Sequence, residues 1–224
     1  MRKSIAVLFL LTVPAAQLKA TVVLPIGLAP GSQYELIFTT SDGTPATSSN
    51  IADYNAFVSN EAALGAPFGL PSGLTWAAVG STTTIDAFDN APSVNTPVYN
   101  TQGQLVAASS IYTGSLLTPV LYDQHGVIPT YNLTWTGSVS SGQADGGFEL
   151  GASSMVETGF RLETNGRWLD DSPVENHSTS RIILAMYALS SPISVPTPEP
   201  ATITLLGSAL LLLGGHRFLR WRRG

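Results

Sequence analysis

Ile182-Ile183-Leu184-Ala185-Met186-Tyr187-Ala188-Leu189, bounded by Arg181 and Ser190, is a continuous apolar run in a chain otherwise rich in Ser, Thr and turn residues. A run of this length with no polar break fits a central strand buried on both faces. A short helix is the alternative that periodicity leaves open. A central strand needs neighbours, and shorter strand-like stretches are present at Tyr34–Thr39, Leu74–Gly80, Leu105–Ala108 and Tyr131–Thr136. Gln102-Gly103 between Val98-Tyr99 and Leu105-Val106 reads as a hairpin. Asp42-Gly43, Asp89-Asn90-Ala91-Pro92, His125-Gly126, Asp145-Gly146-Gly147 and Asn165-Gly166 mark turns. One helix signal stands out. Asn50 can cap it, Asp53 follows in the first turn, and Ile51, Tyr54, Phe57, Val58 and Ala62 fall roughly on one face. Gly65 and Pro67 end it. The expected fold is α+β: a single domain over residues 21–190, built of short antiparallel strands with one helix and long loops. Trp76 and Trp135 lie in apolar stretches and are expected in its core.

The chain has 224 residues, enough for a sizeable core, and no cysteine. That excludes disulfides, cysteine-ligated zinc, iron–sulfur clusters and thiol catalysis. Charge is laid out unevenly. All fifteen acidic residues lie between Glu35 and Glu199, and only Arg161, Arg167 and Arg181 oppose them between residues 21 and 200. That stretch carries a net charge of −12 and no lysine. That argues against nucleic acid as a partner, because phosphate binding needs clustered Lys and Arg.

The two ends read as targeting segments. Residues 1–20 have a basic start (Arg2, Lys3), an apolar stretch from Ile5 to Leu11 extended to Ala16, and a small residue, Ala20, before Thr21. This is the pattern of a cleaved secretory signal peptide. Residues 201–219 form a second apolar segment, about 28 Å long as a helix, close to a hydrocarbon core. Arg217, Arg220, Arg222 and Arg223 follow as a membrane stop, and the basic tail, residues 220–224, belongs on the cytoplasmic side. Residues 191–200 carry Pro192, Pro196, Pro198 and Pro200, which forbid helix and make an extended linker.

Pro198-Glu199-Pro200, the apolar helix and the Arg-rich end together resemble the PEP-CTERM sorting signal of exported Gram-negative bacterial proteins. The resemblance implies an inner-membrane-anchored precursor, recognised and cut by an exosortase and then carried to the cell surface or extracellular matrix. It also implies association with exopolysaccharide and biofilm. The chain is then the substrate of that enzyme. A permanent single-pass anchor is the alternative.

A second resemblance covers residues 50–140. It rests on the Ala52–Phe57 helix, Leu74-Thr75-Trp76-Ala77-Ala78-Val79-Gly80-Ser81, Pro97-Val98-Tyr99, the Gln102–Ala107 hairpin, Gly114–Val120, and Leu133-Thr134-Trp135-Thr136-Gly137-Ser138. Together these are similar to exported bacterial domains of the C-type-lectin-like, endostatin-like fold. The Glu-Pro-Asn and Gln-Pro-Asp motifs that hold calcium and sugar in true C-type lectins are absent, so sugar binding is not implied.

Catalytic patterns are thin. Ser138 lacks the spacing of a nucleophile elbow. His125 and His177 belong to no zinc motif. The expectation is a protein that is not an enzyme and has no cofactor beyond calcium. Asp86, Asp89 and Asn90 are the closest oxygen-rich group for calcium, with Asp145 and Asp170-Asp171 as further ones. Capping of a turn is the competing role for Asp89 and Asn90. Trp168, in a charged loop, is the candidate for stacking on a glycan, against a role as a partly buried loop anchor. Three functions follow: a structural or adhesive envelope component, a lectin-like glycan- or calcium-binding module, and a hydrolase built on scattered carboxylates.

Overall fold

The computed structural model describes residues 21–93, 95–152, 154–175 and 182–197. In chain order the elements are β1 (Gln33–Thr39), α1 (Ile51–Gly65), β2 (Trp76–Ala78), α2 (Ala87–Asn90), β3 (Val98–Asn100) and β4 (Leu105–Ala107). There follow β5 (Leu133–Trp135), β6 (Met155–Val156), β7 (Thr158–Phe160), β8 (Val174–Glu175), β9 (Tyr187–Ser190) and β10 (Ile193–Ser194). The α+β expectation holds: short strands, one substantial helix and long loops.

The main sheet has the order β2-β9-β1-β3-β4, with β10 also on β1. β9 is therefore an interior strand, paired on both sides, and all four of its residues are buried. Only the second half of the 182–189 run makes the ladder. Leu184 and Ala185 form isolated bridges to Thr44 and Thr134. Strand alternation splits the core into two layers. Tyr34, Leu36 and Phe38 of β1, with Trp76, Ala78 and Ala188, pack against Tyr54, Val58 and Ala62 of α1. Ile37, Tyr187 and Leu189 point the other way, onto Val98, Val106, Ile111, Trp168 and Leu169. Helix α1 begins where its cap stands: Asn50 accepts from the Ala52 N–H at 3.2 Å. It ends at Gly65.

Three features depart from the expectation. β1 and β3 pair in parallel (Glu35 with Val98, Ile37 with Asn100), so the strands are not all antiparallel. The connection between them contains α1 and β2, long enough to return the chain to the same end of the sheet. A second helix, the one-turn α2, replaces the turn expected at Asp89–Pro92. The folded domain also runs past residue 190 into the stretch read as linker. Gln33 pairs with Ser194 and Tyr34 with Ile193. Val195 donates to the Ser32 carbonyl at 2.8 Å and accepts from the Gly31 N–H at 2.9 Å.

The ladder on β1 is interrupted between β9 and β10, where Pro192 stands. Pro192 has no N–H to donate. Beside it the Leu36 N–H donates to the Ser190 hydroxyl at 2.9 Å, and the Ser191 N–H donates to the Thr75 carbonyl at 2.8 Å.

The signal segment 1–20, Pro198-Glu199-Pro200, the apolar segment 201–219 with Arg217, the tail Arg220, Arg222 and Arg223, and His177 and Arg181 all lie outside the described residues. Among the described residues no helix is long and apolar enough to cross a membrane.

Candidate functional site

Trp135-Thr136-Gly137-Ser138 is the hub of the loop half of the domain. Trp135 is fully buried and its indole N–H donates to the Thr44 carbonyl at 2.8 Å. The Thr136 hydroxyl donates to the Leu169 carbonyl at 2.7 Å. Gly137 has φ +58°, and a Cβ there would lie 2.5 Å from the Leu150 nitrogen and 2.6 Å from the Ser81 oxygen. The hydroxyls of Ser138 and Ser81 meet at 2.8 Å. Glycine is required at this position both for its dihedral and for the close approach of two other backbone segments. The four residues thus bind the loops at residues 44, 81, 150 and 169 to one strand end.

That hub gathers carboxylates. Glu157, between β6 and β7, gives its carbonyl to the N–H groups of Thr136 and Gly137. Its side chain is 2% exposed, and Oε1 has no hydrogen-bond partner among the described residues. Burial pushes its carboxyl up to about 7, with the charges of Asp170, Asp145 and Asp171 adding to the rise. The Asp145 carboxyl is raised too, by burial and then by Asp170 and Glu149, while a hydrogen bond with Glu157 draws it back. Glu157 therefore titrates near neutral pH, in the field of Asp170, Asp145 and Asp171. Among the described residues no group of three or more His, Asp or Glu is arranged to hold a metal ion.

Sequence reading named Asp145 and Asp170 separately, and the fold brings them to one place. It missed Glu157. The available signal was an acid between Val156 and Thr158 in a strand-forming stretch. The same signal marks Glu35 in β1, flanked by Tyr34 and Leu36 and itself 2% exposed.

The remaining candidates have structural occupations. Asp86 precedes α2, and its Oδ1 accepts from the Ala144 N–H at 2.7 Å. Asp89 lies exposed in α2. The Asn90 amide is bonded to Asn55 and to the Ala78 carbonyl. The reading of Trp168 as a glycan platform is corrected: its ring is 0% exposed and packs on Tyr187 at 5.3 Å between centroids, so no face reaches solvent. It is an anchor, buried because the Asn165-capped turn folds it under the sheet. His125 lies 3.4 Å from Asp123 Oδ2 and edge-on to Phe68.

One further charge is internal. Arg161 is 4% exposed and donates to the carbonyls of Tyr131 (2.5 Å), Pro129 (3.2 Å) and Leu121 (3.3 Å) and to Asn132 Oδ1 (2.8 Å). It closes the loop from residue 121 to 132.

No protein-family model matches the chain, and no curated protein matches it.

Proposed function

We propose that this chain is a non-catalytic, exported surface or extracellular-matrix protein of a Gram-negative bacterium. Its C-terminal segment anchors it in the inner membrane, and an exosortase cuts near Pro198-Glu199-Pro200 to release it toward exopolysaccharide or biofilm. The globular part is a C-type-lectin-like, endostatin-like domain. The order of helix, strand, hairpin, Trp-Thr-Gly strand and a final strand returning to β1 supports that assignment.

The observation that carries the reading is the exposure of Pro196 and Thr197, next to the Pro-Glu-Pro motif in the sequence. Among the described residues Val195 makes the last backbone bonds to the domain, and Pro196 and Thr197 are exposed. Pro198 comes three residues after Val195, in a stretch whose prolines keep it out of helix. A membrane enzyme needs an accessible segment beside a domain that does not have to unfold.

Intact-mass measurement on protein from cell envelopes and from culture medium tests this. A mature species beginning near Thr21 and ending near Pro200 is expected. A sole species retaining Arg222-Arg223-Gly224 would make the tail a permanent anchor and overturn the sorting reading.

A further inference from the structure

Where Ser191 and Pro192 leave β1, the sheet opens into a cavity of about 190 Å³. Its walls are Ala77, Ala91, Pro92, Leu189 and Pro192, and Glu35 lines it as well. Alternation along β1 puts the Glu35 side chain on the same face as Ile37, the face that packs on Val98 and Leu189. Glu35 Oε2 is buried and has no hydrogen-bond partner among the described residues. Burial raises this carboxyl to about 7. The nearby Ser93 hydroxyl offsets part of the rise, although its own Oγ completes no hydrogen bond of normal geometry.

An acid buried without a donor is costly, and the usual resolution is a partner. The Ser93 hydroxyl is near, but no cation among the described residues is paired with it. Arg161 is held by backbone carbonyls, Arg167 by Glu163 and Asp171, and the stretch 21–200 has no lysine. The other polar groups around the cavity are engaged. Ser190 bonds to Leu36 and Ser191, the Ser191 hydroxyl accepts from Thr75, and Asn90 bonds to Asn55. Calcium would find one carboxylate where it wants six to eight oxygens. A sugar ring would find its hydroxyls unmatched. One unpartnered carboxyl oxygen beside apolar walls fits a cation on a hydrocarbon stem.

We propose that this cavity binds a primary alkylammonium group, with its head on the Glu35 carboxylate and its methylene stem against Ala77, Ala91, Pro92 and Leu189. The proposal is independent of the sorting reading. Because the head group favours the ionised acid, affinity rises with pH through the titration of Glu35. Tyr112 is the titratable neighbour in electrostatic contact with Glu35. Its hydroxyl, donating to the Ala87 and Ala91 carbonyls, is raised by burial and stays neutral in this range.

The test is calorimetric titration of the full chain in a neutral detergent with n-butylammonium chloride, n-butanol, glucosamine and calcium chloride. Saturable one-site binding of n-butylammonium is expected, about thirtyfold weaker at pH 5.5 than at pH 8.5. Glu35→Gln should abolish it while leaving the melting temperature at pH 8.5 equal or higher, which separates lost binding from unfolding. Any of four results overturns the proposal: equal binding of n-butanol, preference for glucosamine or calcium, retained binding in Glu35→Gln, or no saturation up to about 50 mM.

Discussion

The side-chain amides of Asn55 and Asn90 are hydrogen-bonded to each other in both directions, at 2.8 and 2.9 Å. The same pair grips the edge of the sheet. Asn55 Oδ1 accepts from the Ala78 N–H and Asn90 Nδ2 donates to the Ala78 carbonyl, both at 2.8 Å. β2 is the edge strand of the order β2-β9-β1-β3-β4. Its outward groups at Ala78, which would otherwise invite another strand, are closed by two carboxamides from α1 and α2.

Asn90→Asp should therefore be more disruptive than its size implies. A carboxylate cannot donate to Asn55 Oδ1 or to the Ala78 carbonyl, and it brings a charge into a half-buried site. A loss of about 2–3 kcal/mol in denaturant unfolding is expected, with Asn55→Ala at about 1–2 kcal/mol. An unchanged midpoint for Asn90→Asp would mean that the pair does not carry the edge.

Stability should fall as the solution becomes less acidic. Glu35 and Glu157 both have carboxyls raised to about 7, whereas the unfolded chain ionises them near the ordinary value of 4.5. Between those values the folded state binds more protons, so the stabilisation is fully present below about pH 4.5 and is lost as pH rises to about 7. Each group accounts for on the order of 3 kcal/mol at most. Melting temperature should decline from pH 5 to pH 7 and level off by pH 8. Glu157→Gln and Glu35→Gln should each flatten the profile, and a profile indifferent to both would contradict the burial assigned to them.

Arg161→Met should destabilise by about 3 kcal/mol. It removes a charged donor from four acceptors, three of them backbone carbonyls in the loop from residue 121 to 132. Limited proteolysis should then cut first between residues 121 and 132. Cleavage elsewhere with that loop intact would show that the loop stands without its guanidinium.

Two glycines make a matched pair. A Cβ on Gly159, in β7, would collide with the Trp168 backbone carbonyl, whereas a Cβ on Gly146 meets nothing within 4 Å. Gly159→Ala should cost about 2–3 kcal/mol or more, and Gly146→Ala should stay within about 0.5 kcal/mol of the parent. Thermal melts of the two variants side by side check this.

The elements legible in the sequence were those made by near neighbours. Helix α1 was readable because its cap, its apolar face and its stop all lie within residues 50–67. The hairpin of β3 and β4 was readable because Gln102-Gly103 closes it, with Gly103 at φ +70°. The chain gave less warning of β6, β7, β8 and β10. Each has only two or three residues, and each exists because a distant segment offers backbone groups to pair with.

Local chemistry alone settled the helix, the hairpin, the buried character of residues 185–189 and the acidic, lysine-free balance of the stretch from 21 to 200. These depend on spacing and composition, which the chain carries with it. Tertiary structure alone decided that Trp168 is buried rather than displayed, that Asp145 lies in the electrostatic surroundings of Glu157, that Asn55 meets Asn90, and that Glu35 lines a cavity beside Pro192. Those relations join residues 12 to 157 positions apart. They are set by which strand lies beside which, and no local pattern specifies that choice.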